Sequence, residues 1–184
     1  EGPYFSLEQR GAQDPQYIKV PAKDDYKKLL DASDDIIRMS AAPELEGAME
    51  LADELKARGI LASIGHSDAT YAHVIEAWER GYTHVTHLYS GMSTIRRINA
   101  YRHLGVIESA YLIDGMTVEI IADGKHLPPE LLRFIVKMKP IEDICLVTDS
   151  MRGAGMDDGE HVLLGSLAHG QECDVFQKDI EEEY

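Results

Sequence analysis

The chain is poor in several things, and each shortage excludes something. Basic residues are the first: 18 Lys and Arg stand against 33 Asp and Glu, a net charge of −15. Phosphate backbones need a basic face, so nucleic acid is not an expected partner. The acidic balance speaks for solubility and says nothing of fold. Cysteine is also scarce. The two present, Cys145 and Cys173, form no CxxC pair, so neither a disulfide framework nor a zinc ribbon is indicated. Cys145 lies in an apolar run and is expected to be a small buried hydrophobe. No apolar stretch approaches the ~20 residues that cross a bilayer, and no signal peptide is recognisable, so a cytoplasmic setting without membrane contact is expected. The chain starts with Glu1 rather than Met, which reads as a boundary within a longer parent. At 184 residues it is long enough for one substantial core but short for a closed (β/α)8 barrel, which takes about 250.

What is present is an alternation. Residues 1–22, with several prolines and glycines, read as a loop, and 23–33 as a short polar helix. Strand-like runs follow at 36–39, 60–66, 82–89, 116–123 and 143–149. Between them, apolar residues at helical spacing run from Leu45 to Leu55, from Tyr71 to Trp78 and from Leu131 to Met138. Gly59 and Gly81 stop two of these helices, Pro128-Pro129 start the last, and Ser67-Asp68 are the expected cap of the middle one. Residues 90–117 look irregular. Strand and helix in alternation indicate a parallel α/β fold, here an incomplete TIM-type barrel with about five of eight strands. Such a sheet is expected to leave open edges and exposed apolar surface. Residues 1–173 are assigned to the barrel domain and 174–184 to an acidic tail.

Four of these strands end in a side chain able to bind metal or move protons: His66, His87, Asp123 with His126 just beyond, and Asp149. Strand ends delivering polar groups to one rim are how a barrel builds a metal site. In Tyr82-Thr-His-Val-Thr-His-Leu-Tyr89, alternation puts His87 on the side of Thr83 and Val85 and His84 on the other. His87 is nearer the C-terminal end and is taken as the ligand, with His84 structural. Two imidazoles from neighbouring strand ends, with one carboxylate, suit a catalytic ion with an open position. Zinc is the expected ion; iron, manganese and cobalt also suit this set. Asp149 is a candidate general base beside it, and His126 a candidate substrate contact. Arg96, Arg97 and Arg102 form a basic cluster in an acidic chain, which reads as a phosphate site.

Together these residues resemble the N-acetylglucosamine-6-phosphate deacetylase family of the amidohydrolase superfamily. The likeness is carried by Glu1-Gly-Pro-Tyr4, Arg10-Gly-Ala-Gln13, Ala42-Pro-Glu44, Gly65-His-Ser67, Thr86-His-Leu-Tyr89, Ala122-Asp-Gly-Lys-His126 and Leu146-Val-Thr-Asp149. The resemblance implies a metal-dependent barrel enzyme that deacetylates N-acetyl-D-glucosamine 6-phosphate. It implies Glu1, His66 and His87 as metal ligands and Asp149 as catalytic acid and base. His126 would polarise the acetyl carbonyl, and Asp123 lies in the same substrate-contacting segment. Arg102 would hold the phosphate, often across a homodimer interface, and Ala12 and Gln13 match a sugar-facing loop. The family commonly has Asn-Ala where this chain has Ser90-Gly91, so another acylated amino sugar or a cyclic amide is an alternative substrate. A non-catalytic metal- or sugar-phosphate-binding role is a further one. With strands missing, Glu1 is expected to be poorly held and the isolated chain weakly active.

Overall fold

The structure is a computed structural model, and it describes residues 2–150 together with Ala154. The opening segment is irregular apart from one 3-10 turn, Pro15–Tyr17. The regular elements are α1 (Lys23–Leu30), β1 (Arg38–Ala41), α2 (Ala48–Arg58), β2 (Leu61–Ile64), α3 (Tyr71–Arg80) and β3 (Tyr82–Val85). They continue with β4 (Arg96–Ile98), β5 (Tyr101–His103), α4 (Val106–Leu112), β6 (Thr117–Ile121), α5 (Pro129–Met138) and β7 (Ile144–Val147). Five strands form one parallel sheet in the order β1-β2-β3-β6-β7. β4 and β5 pair antiparallel in a separate hairpin.

The alternation expected from sequence is therefore real, with boundaries shifted by a few residues. β1, β2 and β6 are each followed by a helix, and β3 by the hairpin and then α4, because each parallel crossover must return to the same end of the sheet. Local chemistry sets the ends. α2 stops at Gly59 in the left-handed conformation (φ 71°). α5 begins behind Pro128 with Pro129 in its first turn, where the missing N–H costs nothing. The expected cap of α3 was wrong. Thr70 is its N-cap, and the Thr70 N–H donates to His73 Nδ1 (3.3 Å), while Ser67 and Asp68 are engaged elsewhere. The stretch 90–117 is also more regular than its sequence suggests, holding the β4–β5 hairpin and α4. These elements are short, and a three-residue strand gives too few residues for a period to register.

The core lies between sheet and helices. Met39, Ala41, Ala62, Ile64, Val85, Val118 and Ile120 meet Leu51, Leu55, Val74, Ala77, Val106, Ala110 and Ile135, all buried. The other face of the sheet is polar at its centre. Ser40 and Ser63 each hydrogen-bond Thr86 through hydroxyls (2.7 and 2.6 Å). Lower on that face is a cavity of about 560 Å³ lined by residues including Arg38, Leu61, His84, Glu119 and Cys145. Among the described residues, β1 and β7 each have one strand neighbour. Ile37 is 79% exposed and Leu146 73%, as expected for an open sheet. The same openness corrects the reading of Cys145, which is exposed rather than buried. Among the described residues it sits in an edge strand, with β6 as its one strand neighbour. Among the described residues, no helix is long and apolar enough to cross a membrane.

A candidate metal and substrate centre at the strand ends

Each candidate side chain stands two residues beyond the end of its strand: His66 after Ile64, His87 after Val85, Asp123 after Ile121 and Asp149 after Val147. β2, β3, β6 and β7 are consecutive in the sheet, so all four project from one edge. They are not level. Val85 pairs with Ile64 on one side and Val118 on the other, while Ile121 pairs with Val147. β6 and β7 thus run three residues further, 121 against 118. A stagger of this kind is what a parallel sheet builds in as it curves toward closure.

Three of the four share a backbone feature. His66 (φ 46°), His87 (φ 29°) and Asp149 (φ 49°) all lie in the left-handed region. That conformation costs an ordinary side chain of order 1–3 kcal/mol and persists where surrounding contacts over-determine it, which happens most at functional sites. It also corrects the alternation argument for His87. Val85 belongs to the core that faces the helices, so strict alternation would carry His87 into that layer. β3 ends at Val85 instead, and the left-handed turn brings the His87 ring to the His66 ring. The two imidazoles stand edge to face with centroids 4.9 Å apart, and both are buried.

The surroundings of His66 are explicit. Its Nδ1–H donates to the Gln9 carbonyl (2.8 Å), which fixes the tautomer that presents Nε2 as a lone-pair donor. The Phe5 ring lies against it at 4.5 Å. Gly91 packs over it so closely that a Cβ there would fall 2.6 Å from His66 Nδ1 and 2.8 Å from the Gln9 oxygen. Gly91, itself at φ +56°, is the residue this packing demands. Ser90, half-buried, donates its N–H to the His87 carbonyl (3.0 Å). The turn Arg10–Gln13, closed by a Gln13 N–H to Arg10 carbonyl bond (3.1 Å), brings Gly11 beside His66, with Ala12 and Gln13 exposed on it.

Two imidazoles converging with one tautomer fixed fit a divalent ion. Among the described residues no third His, Cys, Asp or Glu joins them. Glu1, the expected third ligand, lies outside the described residues. The segment after it is well anchored. Tyr4 is fully buried, its hydroxyl donating to Asp25 (2.9 Å). The Ala42 N–H donates to the Tyr4 carbonyl (2.8 Å) and the Ser6 N–H to the His66 carbonyl (2.9 Å). These backbone bonds tie the segment to the residues just beyond the ends of β1 and β2.

Beyond β6, His126 Nδ1–H donates to Asp123 (2.7 Å), whose other oxygen accepts the N–H groups of Lys125 (2.9 Å) and His126 (2.8 Å). The His126 contact, with those backbone bonds, pulls the Asp123 carboxyl down to about 2. Asp123 is thus committed to holding His126, leaving Nε2 as the imidazole nitrogen available to a substrate. Asp149 is exposed at the end of β7.

The basic cluster separates into two roles. Arg96 is tied to the Asp68 carboxylate and donates to the Asp68 carbonyl (2.9 Å). Arg97 and Arg102 are exposed and directly opposite in the hairpin. Like charges facing each other are unfavourable unless an anion lies between them.

The sequence assigned no part in the site to four residues that hold it, Asp68 among them, which it read only as a helix cap. Glu44 accepts from Ser67 Oγ (2.7 Å) and the Asp68 N–H (2.5 Å), clamping the turn after His66. Burial raises its carboxyl above the usual range despite those bonds. Gln9 donates to Asp68 (3.0 Å) while its carbonyl receives His66. Asp68 joins both to the hairpin, and Glu119 lies buried beneath His87. Glu44 and Asp68 stand inside or next to quoted motifs, and Glu119 is a lone acid in an apolar strand, so a signal existed for three of them.

No family model matches the chain. It is 35% identical to N-acetylglucosamine-6-phosphate deacetylase of Lysinibacillus sphaericus over 170 residues, 92% of this chain and 43% of that protein. It is 32% identical to N-acetylgalactosamine-6-phosphate deacetylase of Escherichia coli O157:H7 over 166 residues, 90% of this chain and 43% of that one. Among solved structures, a mutant N-acetyl-D-glucosamine-6-phosphate deacetylase from Mycobacterium smegmatis, in complex with N-acetyl-D-glucosamine-6-phosphate, superposes with a TM-score of 0.79. The identity is 32%, covering 86% of this chain and 41% of that one. The chain spans about two-fifths of the length of the curated relatives it matches.

Proposed function

The chain belongs to the N-acetylglucosamine-6-phosphate deacetylase family, and from there we propose that its residues serve the hydrolysis of N-acetyl-D-glucosamine 6-phosphate to D-glucosamine 6-phosphate and acetate. The observation that carries the proposal is the perpendicular His66–His87 pair at adjacent strand ends.

In this reading His66 and His87 hold a divalent ion together with Glu1. The ion is zinc by preference, with iron, manganese or cobalt as alternatives, and it would supply Lewis-acid polarisation of the acetyl carbonyl and a lowered pKa for water. The chain's own residues do the rest. Asp149 accepts the proton of the attacking water and returns it to the nitrogen as the C–N bond breaks, releasing amine and acetate. His126, oriented by Asp123, offers Nε2 to the acetyl oxygen. Arg102 binds the phosphate, and Ala12, Gln13, Ser90 and Gly91 border the sugar. Residues 1–173 form the domain that does this, with 174–184 outside it. The reading also includes a cytoplasmic homodimer in which the phosphate arginine serves a neighbouring site.

A second reading concerns the sugar alone. The relative acting on the galacto epimer, and Ser90-Gly91 in place of the usual pair, both favour testing N-acetylgalactosamine 6-phosphate. Acetate release should be measured on both phosphorylated epimers and on unphosphorylated N-acetylglucosamine. The expected result is at least a tenfold preference for a phosphorylated substrate and a loss of ~10²–10⁴-fold in Asp149→Asn. Equal rates with and without phosphate would sink the phosphate assignment, and faster turnover of the galacto epimer would replace the substrate. Metal uptake that survives the double change His66→Ala, His87→Ala would sink the ligand assignment.

A further inference from the structure

We propose that Glu119 is a positioning residue that holds the His87 turn in the conformation needed to present its imidazole. The proposal rests on reading His87 as a metal ligand.

Glu119 is the one acid in Val118-Glu-Ile-Ile121 of β6, and it is 3% exposed. A buried carboxylate is costly unless its oxygens are paired. The pairing here is specific. Oε1 faces the Arg38 guanidinium from β1 and lies 3.4 Å from His84 Nε2 on β3. Oε2 accepts from the His87 N–H (3.4 Å), and the Glu119 carbonyl accepts from the Leu88 N–H (2.8 Å). Two successive amides of the turn beyond β3 therefore dock on one residue of β6. They extend a β3–β6 ladder that otherwise has only two paired positions, His84↔Thr117 and Val85↔Val118.

That extension falls where the backbone needs it. His87 sits at φ 29°, a conformation that relaxes toward extended geometry unless held. Relaxed, the chain would follow strand alternation and turn His87 toward the helix layer, away from His66. Arg38 faces the other carboxylate oxygen, Oε1, and takes no part in the amide contact. Glu119 thus acts on the metal pair through the backbone, without touching substrate or ion.

The test uses the full chain and titrates cobalt or zinc against a chromophoric chelator, alongside amide hydrogen exchange. Glu119→Ala should weaken metal affinity ~10–100-fold, the range for losing a group that orients a ligand. It should also speed exchange of the His87 amide, whose acceptor it removes, more than that of Leu88, whose acceptor is a backbone carbonyl that alanine keeps. Arg38→Met removes the charge partner and leaves both amide contacts. It should keep affinity within about threefold of the parent even if its thermal midpoint falls, because a purely structural ion pair would weaken both variants alike. Glu119→Ala with parental affinity and exchange, or Arg38→Met losing as much affinity as Glu119→Ala, overturns the proposal. Should Glu119→Ala fail to fold, Glu119→Gln serves in its place. Its neutral acceptor should cost at least threefold in affinity, and parental affinity overturns the proposal. A parent chain that takes up no metal overturns the ligand reading instead, and the exchange comparison then decides the positioning claim alone.

Discussion

Gly91 shows what one residue can control. A Cβ at its position would fall 2.6 Å from His66 Nδ1, and its φ of +56° is costly for any side chain. Ala there must push back either His66 or the Gln9 carbonyl that fixes the imidazole tautomer. The expected cost of Gly91→Ala is about 2–4 kcal/mol from overpacking and strain together. Denaturant unfolding measures that cost, and metal titration should show weakened uptake in the same variant. An unchanged denaturation midpoint would mean that the turn repacks freely. The sequence marked this residue as a departure from its family, but nothing in the sequence indicated contact with His66, 25 positions away (91 − 66). Alternation, likewise, put His87 on the side of Val85, and the backbone does not obey it: β3 ends at Val85 and the His87 ring turns to His66.

At the scale of elements, the β4–β5 hairpin is held to the sheet ends by side chains. Asp68 receives Gln9 and Arg96, and Gln9 in turn receives His66. Burial alone would raise the Asp68 carboxyl; the Arg96 and Gln9 contacts outweigh it and leave it lowered. This links the His66–His87 pair to the hairpin that carries Arg97 and Arg102. Arg96→Met should therefore free the hairpin. Amides of β4 and β5 are expected to exchange about tenfold faster, while those of β2 and β3 keep their protection. Unchanged hairpin protection would show that its own pairing suffices. The hairpin was invisible in sequence because three-residue strands carry no readable period. The helices α2, α3 and α5 were legible because each repeats its apolar face over two or more turns.

For the molecule as a whole, the sheet's polar face sets a pH limit on stability. Burial, with Arg38 adding to it, lowers the His84 imidazole to about 4. Its facing groups are Arg38, Glu119 and Thr117, the last sharing a 2.6 Å hydrogen bond with Nδ1. An unfolded histidine takes its proton near 6.5. The folded value is lower, so between those pH values the unfolded chain binds the extra proton. Stability from this group is complete above about 6.5 and is lost as pH falls toward 4. Unfolding free energy measured across that window should decline in the parent and decline less in His84→Asn. Identical slopes would assign the effect to other groups.

The sequence by itself determined the alternation of strands and helices, the four strand ends that carry His66, His87, Asp123 and Asp149, and the family to which the chain belongs. These rest on local periodicity and on motifs, both of which are written in consecutive residues. Tertiary structure alone decided which way His87 turns, why Gly91 is there, that Asp123 serves His126, that Arg96 anchors while Arg97 and Arg102 face outward, and that Glu119 lies under the turn that carries His87. Each of these depends on contacts between residues far apart in the chain. Such contacts exist only once the parallel sheet has brought its strand ends to one edge.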